Sequence, residues 1–166
     1  MNSCCCVPIA AGQVISRLGL TWMGRPGSIQ AVTGAFRKLL YLTASYWLTR
    51  VFLFLIIAIL DPNVDSREWV EPPSAYYFFV VVDDTLSYSY LVFVVILLRN
   101  LRSAVRSKYA IPEAHSCPTG CEDTCCSLFC PCLVVSQMMR HTADYDSHGG
   151  RCCTETGLPS HAPSIV

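Results

Sequence analysis

The chain has 166 residues, 52% of them hydrophobic and 14% charged, which leaves room for one domain and too little polar surface for an ordinary soluble protein. Lysine plus arginine equal aspartate plus glutamate at 12 each, so net charge gives no case for a nucleic-acid partner, and what matters is where the charges lie. Eleven cysteines would suit a secreted disulfide framework only behind a signal peptide, and residues 1–34 show no basic start followed by an apolar run. In chain order, residues 1–36 mix Gly, Ser, Arg and short apolar pieces broken at Pro8 and at Gly24–Gly27, and they read as a flexible N-terminal tail with room for one short amphipathic helix. Within it Cys4, Cys5 and Cys6 form a triplet that is either an acylation site or chance in a cysteine-rich chain.

Residues 37–109 read as a hydrophobic hairpin. The first span, 39–60, is long enough to cross ~30 Å of hydrocarbon at ~1.5 Å per residue. Arg50 sits in its middle, at a cost of about 2.5 to 3.5 kcal/mol, but the apolar run Val51 to Leu60 recovers about 0.3 to 0.6 kcal/mol per strongly apolar residue, so insertion wins narrowly. The second span, 75–98, has two apolar blocks separated by Asp83, Asp84, Thr85, Ser87 and Ser89, and needs a partner for its two carboxylates. Arg50 is the predicted partner. Measured from the turn of the hairpin, Arg50 lies ~15 Å deep and the two aspartates ~12 to 13.5 Å. Two readings of these charges remain, a salt bridge that makes both spans tolerable, or a cation site that uses the spare carboxylate. The intervening segment, Asp61 to Ser74, is acidic and proline-bounded, whereas Arg17, Arg25, Arg37 and Lys38 precede the hairpin and Arg99, Arg102, Arg106 and Lys108 follow it. By the positive-inside rule both termini face the cytosol, and residues 99–109 extend the second helix.

Residues 110–145 form a cysteine-rich segment. Its features, in order, are Arg106 and Lys108; Tyr109, Ala110 and Ile111; Cys121 with Glu122 and Asp123; Cys130, Pro131 and Cys132; Gln137; and Arg140. This order resembles the second half of the placenta-specific-eight domain, the family of cysteine-rich membrane proteins that includes plant cell-number regulators, plant cadmium-resistance proteins and cornifelin. Ala110 stands where the family has glycine, and the family's first cysteine block has no counterpart here. The resemblance implies a non-enzymatic membrane protein, either regulating cell growth through interactions or handling a heavy metal or calcium, and it places the protein at the plasma membrane.

Apart from the resemblance, Cys117, Cys121 and Cys125 recur every four residues, as do Cys126 and Cys130, so each series would line one helix face, with Cys132 close by. Their spacing lacks paired C-x2-C knuckles, and packed thiols are as good a reading as metal ligands. No cofactor is required; zinc or another soft metal is the class such thiols would select. His115, His141, His148 and His161 have no nucleophile at useful spacing, and no phosphate-binding loop or catalytic signature is present. Residues 146–166 read as a flexible tail whose last residues, Pro163 to Val166, match a PDZ-type ligand weakly. The expected fold is therefore mainly α, a two-helix transmembrane hairpin with a small cysteine-rich C-terminal cap. The bilayer is its partner, and any transport would require a homo-oligomer.

Overall fold

The computed structural model describes residues 7–61, 71–112, 121–145, 147–151 and 154–159, with the side chain of residue 31 excepted. Six helices and no strand occur among them: α1 (Val7–Leu18), α2 (Ile29–Val32), α3 (Ala35–Leu60), α4 (Ser74–Tyr109), α5 (Cys121–Phe129) and α6 (Pro131–Thr142). Two of these, α3 with 26 residues and α4 with 36, are long and apolar enough to cross a membrane. The chain divides into two compact units, one of residues 1–41 and 94–166, the other of residues 42–93.

The larger unit has a conventional apolar core. Ala11, Val14 and Ile15 of α1, Leu39 near the start of α3, Leu97, Leu98 and Leu101 of α4, and Val135 of α6 are fully excluded from solvent. Spacing of three and four residues puts Ala11, Val14 and Ile15 on one side of α1, and Pro8 falls in the first turn, where its missing N–H would have no helical acceptor. Gly12 lets α3 approach, since a Cβ there would lie 3.2 Å from the Phe36 ring. Helix α1 thus occupies a stretch that composition reads as a flexible tail with room for one short amphipathic helix. It ends at Gly19 with φ 62°, and the N–H of Leu20 reaches back 3.1 Å to the Ile15 carbonyl. That is the left-handed cap with a bond across five residues.

The C-terminal end of α4 uses the same device. Ile111 N–H donates to the Arg106 carbonyl at 3.0 Å, and Ala110 holds the left-handed position with φ 51°. Between α5 and α6 the chain bends at Cys130, whose φ and ψ of −134° and 50° lie outside the helical region that a following proline disfavours. Pro131 then opens α6 at a position where the ring is tolerated.

In the smaller unit, residues of α3 meet residues of α4 in opposite order. The Tyr46 and Tyr90 rings stack with centroids 3.7 Å apart and planes 5° from parallel, the Tyr90 hydroxyl donates to Thr43 at 3.4 Å, and further along Arg50 meets Asp83. Most of the remaining surface is apolar and uncovered: Phe52, Phe54, Ile59, Phe78, Val81 and Val92 are all more than half exposed.

Candidate functional site

The charged face of α4 and the start of α5 form the most tightly connected polar cluster in the described residues. Arg102 and Arg106 are one helical turn apart and therefore project to the same side of α4. Glu122 and Asp123 open α5, where carboxylates also suit the positive end of the helix dipole. Arg102 Nε lies 2.8 Å from Asp123 Oδ1 and its Nη2 2.7 Å from Glu122 Oε1. Arg106 Nη1 is 2.7 Å from the same Asp123 oxygen and 3.5 Å from Glu122 Oε2, and its Nη2 donates to the Pro112 carbonyl at 2.7 Å. Asp123 and Arg106 are both buried, so the two cations and two carboxylates neutralise one another where water screens poorly. The cluster clamps α5 onto α4. It brings together two stretches that the sequence motif contains, the basic run and the Cys-Glu-Asp turn, whose pairing the spacing did not reveal.

Next to this clamp, Cys121 and Cys125 lie one turn apart on α5 with their sulfurs 3.7 Å from each other. The hydrogen bond shared with Cys125, then the charge Cys125 would carry, and last partial burial hold the Cys121 thiol above its ordinary pKa. Cys126 and Cys132 are half-buried, Cys125 and Cys130 are exposed, and none of the five is in a disulfide. Cys117 lies outside the described residues, as do Cys4 to Cys6 and Pro163 to Val166. Among the described residues no three His, Cys, Asp or Glu side chains are grouped in a way that would hold a metal ion.

The other motif residues play separate parts. Ile111 closes the α4 cap through its backbone, and Cys130 and Pro131 form the α5–α6 corner. The Tyr109 hydroxyl is buried without a hydrogen-bond partner, its ring centroid 6.4 Å from that of His141. Gln137 and Arg140 are exposed on α6. No protein-family model matches the chain, and no match was found among curated proteins or solved structures.

In the smaller unit, Arg50 Nε is 3.1 Å from Asp83 Oδ1, but the N–H is not aimed at that oxygen, so the contact is an ion pair without a hydrogen bond. Arg50 Nη1 instead donates to Ser87 Oγ, and Ser87 Oγ donates to the Asp83 carbonyl one turn earlier at 2.7 Å. Asp84, the next residue, is exposed. The duplicated aspartates thus divide, one paired with Arg50 and the other facing away.

Sequence reasoning passed over Gln13 and took Arg17 only as one of the cations that precede the first span. Gln13 Nε2 donates to the carbonyls of Arg151 and Thr154, each at 3.0 Å. Arg17 donates to the Thr156 carbonyl and the Tyr145 hydroxyl, each at 2.5 Å, and to Thr142 Oγ1 at 3.2 Å, with its guanidinium 5.3 Å above the Tyr145 ring. The available signal was their four-residue spacing, beside the apolar side of the one short amphipathic helix that the N-terminal segment has room for.

Proposed function

We propose that the chain is a non-enzymatic integral membrane protein of the placenta-specific-eight type. In this reading α3 and α4 cross the plasma membrane as a hairpin, and a cytosolic helical cap offers an interaction surface with a regulatory role in cell growth. The observation that carries it is the surface of residues 42–93: a helix apolar on every side needs either a protein core or lipid around it, and Phe52, Phe54, Ile59 and Phe78 are left more than half exposed by the described residues. The pairing of Arg50 with Asp83 supports the same reading, because charges in hydrocarbon persist only with partners.

Charge distribution supports the sidedness. Residues 1–41 and 94–166 contain ten Lys and Arg against six Asp and Glu, and residues 42–93 contain two against six, so a net charge of zero conceals +4 in one unit and −4 in the other. Excess cation around the outer ends of the spans favours a cytosolic location for both termini. Single cysteines placed at residue 66 and at each terminus of a cysteine-free variant, probed with a membrane-impermeant maleimide on intact cells, test this. We expect labelling at 66 alone; labelling of either terminus without permeabilisation would overturn the topology.

A second reading, soft-metal handling by an oligomer, draws on the Cys121–Cys125 contact. Two cysteine sulfurs 3.7 Å apart would, once deprotonated by a metal, supply half of a tetrahedral soft-metal site. Metal content near half an equivalent per chain after purification in detergent, lost in Cys121→Ser, would favour it over the interaction reading.

A further inference from the structure

Five residues of α4, Asn100, Ser103, Ala104, Ser107 and Lys108, share one face at helical spacing, opposite the turn that ends at Arg25. The turn is rigidly built. Thr21 N–H donates to the Arg25 carbonyl at 2.8 Å, and Thr21 Oγ1 donates to the same carbonyl at 2.9 Å and accepts from the Arg25 N–H at 3.2 Å. Gly24, with φ 72°, lies so close to α4 that a Cβ would stand 3.0 Å from the Leu101 nitrogen, and Asn100 Nδ2 donates to the Met23 carbonyl at 3.2 Å. Between turn and helix is an open cleft of about 470 Å³ whose rim includes Arg25, Ser103, Ser107 and Lys108 and whose apolar side includes Leu20 and Ala104.

The cations of this cleft differ from their neighbours on α4. Arg102 and Arg106 are neutralised by Glu122 and Asp123, whereas Arg25 and Lys108 have no carboxylate partner among the described residues. Two cations without a carboxylate partner, flanked by two hydroxyls and with no acidic side chain among the described residues of the lining, select an anion that accepts several hydrogen bonds. The apolar side adds room for carbon attached to that anion. Along α4 the uninterrupted apolar run ends at Leu98, so at ~1.5 Å per residue the cleft residues lie from about 3 Å (Asn100) to about 15 Å (Lys108) beyond it, and the near end of the cleft falls at the headgroup depth of a helix that crosses the bilayer.

We propose that the cleft between the 21–25 turn and α4 binds the phosphate of an anionic phospholipid headgroup, with Arg25 and Lys108 on the phosphate oxygens, Ser103 and Ser107 as additional donors, and Leu20 and Ala104 against the glycerol end. This rests on the membrane reading above. The cleft would make the cap sensitive to the anionic lipid content of the cytosolic leaflet.

Native mass spectrometry of the full chain in detergent, titrated with phosphatidylserine, phosphatidylcholine or inorganic phosphate, tests it. The wild type should retain one phosphatidylserine in preference to phosphatidylcholine, and Arg25→Gln with Lys108→Gln should weaken that retention about 30-fold. Lys108→Arg, which keeps the charge, and Arg140→Gln, which removes an exposed cation elsewhere, should bind as the wild type does; loss of binding in either refutes the assignment. Equal retention of phosphatidylcholine, displacement by equimolar inorganic phosphate, or a double variant that binds normally would each also refute it. Alkaline carbonate extraction separates the two levels. A chain stripped from membranes sinks the bilayer reading, while a chain that stays and whose double variant binds normally sinks the cleft alone.

Discussion

Ala110 sits in the left-handed region at φ 51°, where a Cβ crowds the backbone and the cost for a non-glycine residue is about 1 kcal/mol. The cap it occupies closes α4 ahead of the segment that leads to the Arg–carboxylate clamp. Ala110→Gly should relieve that crowding and, after the added freedom of the unfolded chain, stabilise the cap by about 0.5 kcal/mol, seen as a higher Tm in detergent. A lower Tm would mean the alanine methyl contributes packing that outweighs the strain. Cysteine chemistry also belongs to single residues. Because Cys125 raises the Cys121 pKa, less thiolate is present at neutral pH, and alkylation of Cys121 should be slow at pH 7 and still be accelerating above the ordinary thiol range. Cys125→Ala removes the first two causes of the rise and should shift that profile toward lower pH; peptide-resolved alkylation by mass spectrometry reads both, and an unchanged profile would contradict the coupling.

At the level of helices, the two long elements were legible because length and apolarity are additive along a segment and need no knowledge of neighbours. For Arg50, counting residues gave only a matched distance to the two aspartates, on the expectation that the two spans form a hairpin. Counting could not separate Asp83 from Asp84, which differ by ~100° around the helix, and only the packed faces put Asp83 against Arg50. A double-mutant cycle with Arg50→Leu and Asp83→Leu should therefore give a coupling of about 1 to 2 kcal/mol, and the cycle with Asp84→Leu one near zero. Reversible unfolding in mixed micelles measures both, and equal couplings would return the two aspartates to equivalence. Helix α1 was not legible in the same way. Its twelve residues include Pro8 and Gly12, each of which reads locally as a breaker. Both are accommodated by context, the proline in the first turn and the glycine under the Phe36 ring.

Across the larger unit, the first described helix and the last described residues hold each other. Arg17 and Gln13 together donate to three backbone carbonyls between residues 151 and 156, contacts that span more than 130 positions of chain. Arg17→Leu should free this strap without disturbing the buried face of α1, so limited proteolysis should cut between residues 145 and 158 several-fold faster while the α-helical circular dichroism stays within about 10% of wild type, given that local opening is distinct from global unfolding. Unchanged cleavage would show that Gln13 suffices. The sequence by itself determined a helical chain with two apolar stretches of membrane-crossing length, an uneven distribution of cations around them, and a cysteine-rich segment, because composition and periodicity act locally. Tertiary structure alone decided which charges meet. Arg102 and Arg106 face Glu122 and Asp123 across an intervening segment, while Arg25 and Lys108 lie beside a cleft with no carboxylate partner among the described residues, and no local rule distinguishes these four cations until the helices pack and one pair meets carboxylates.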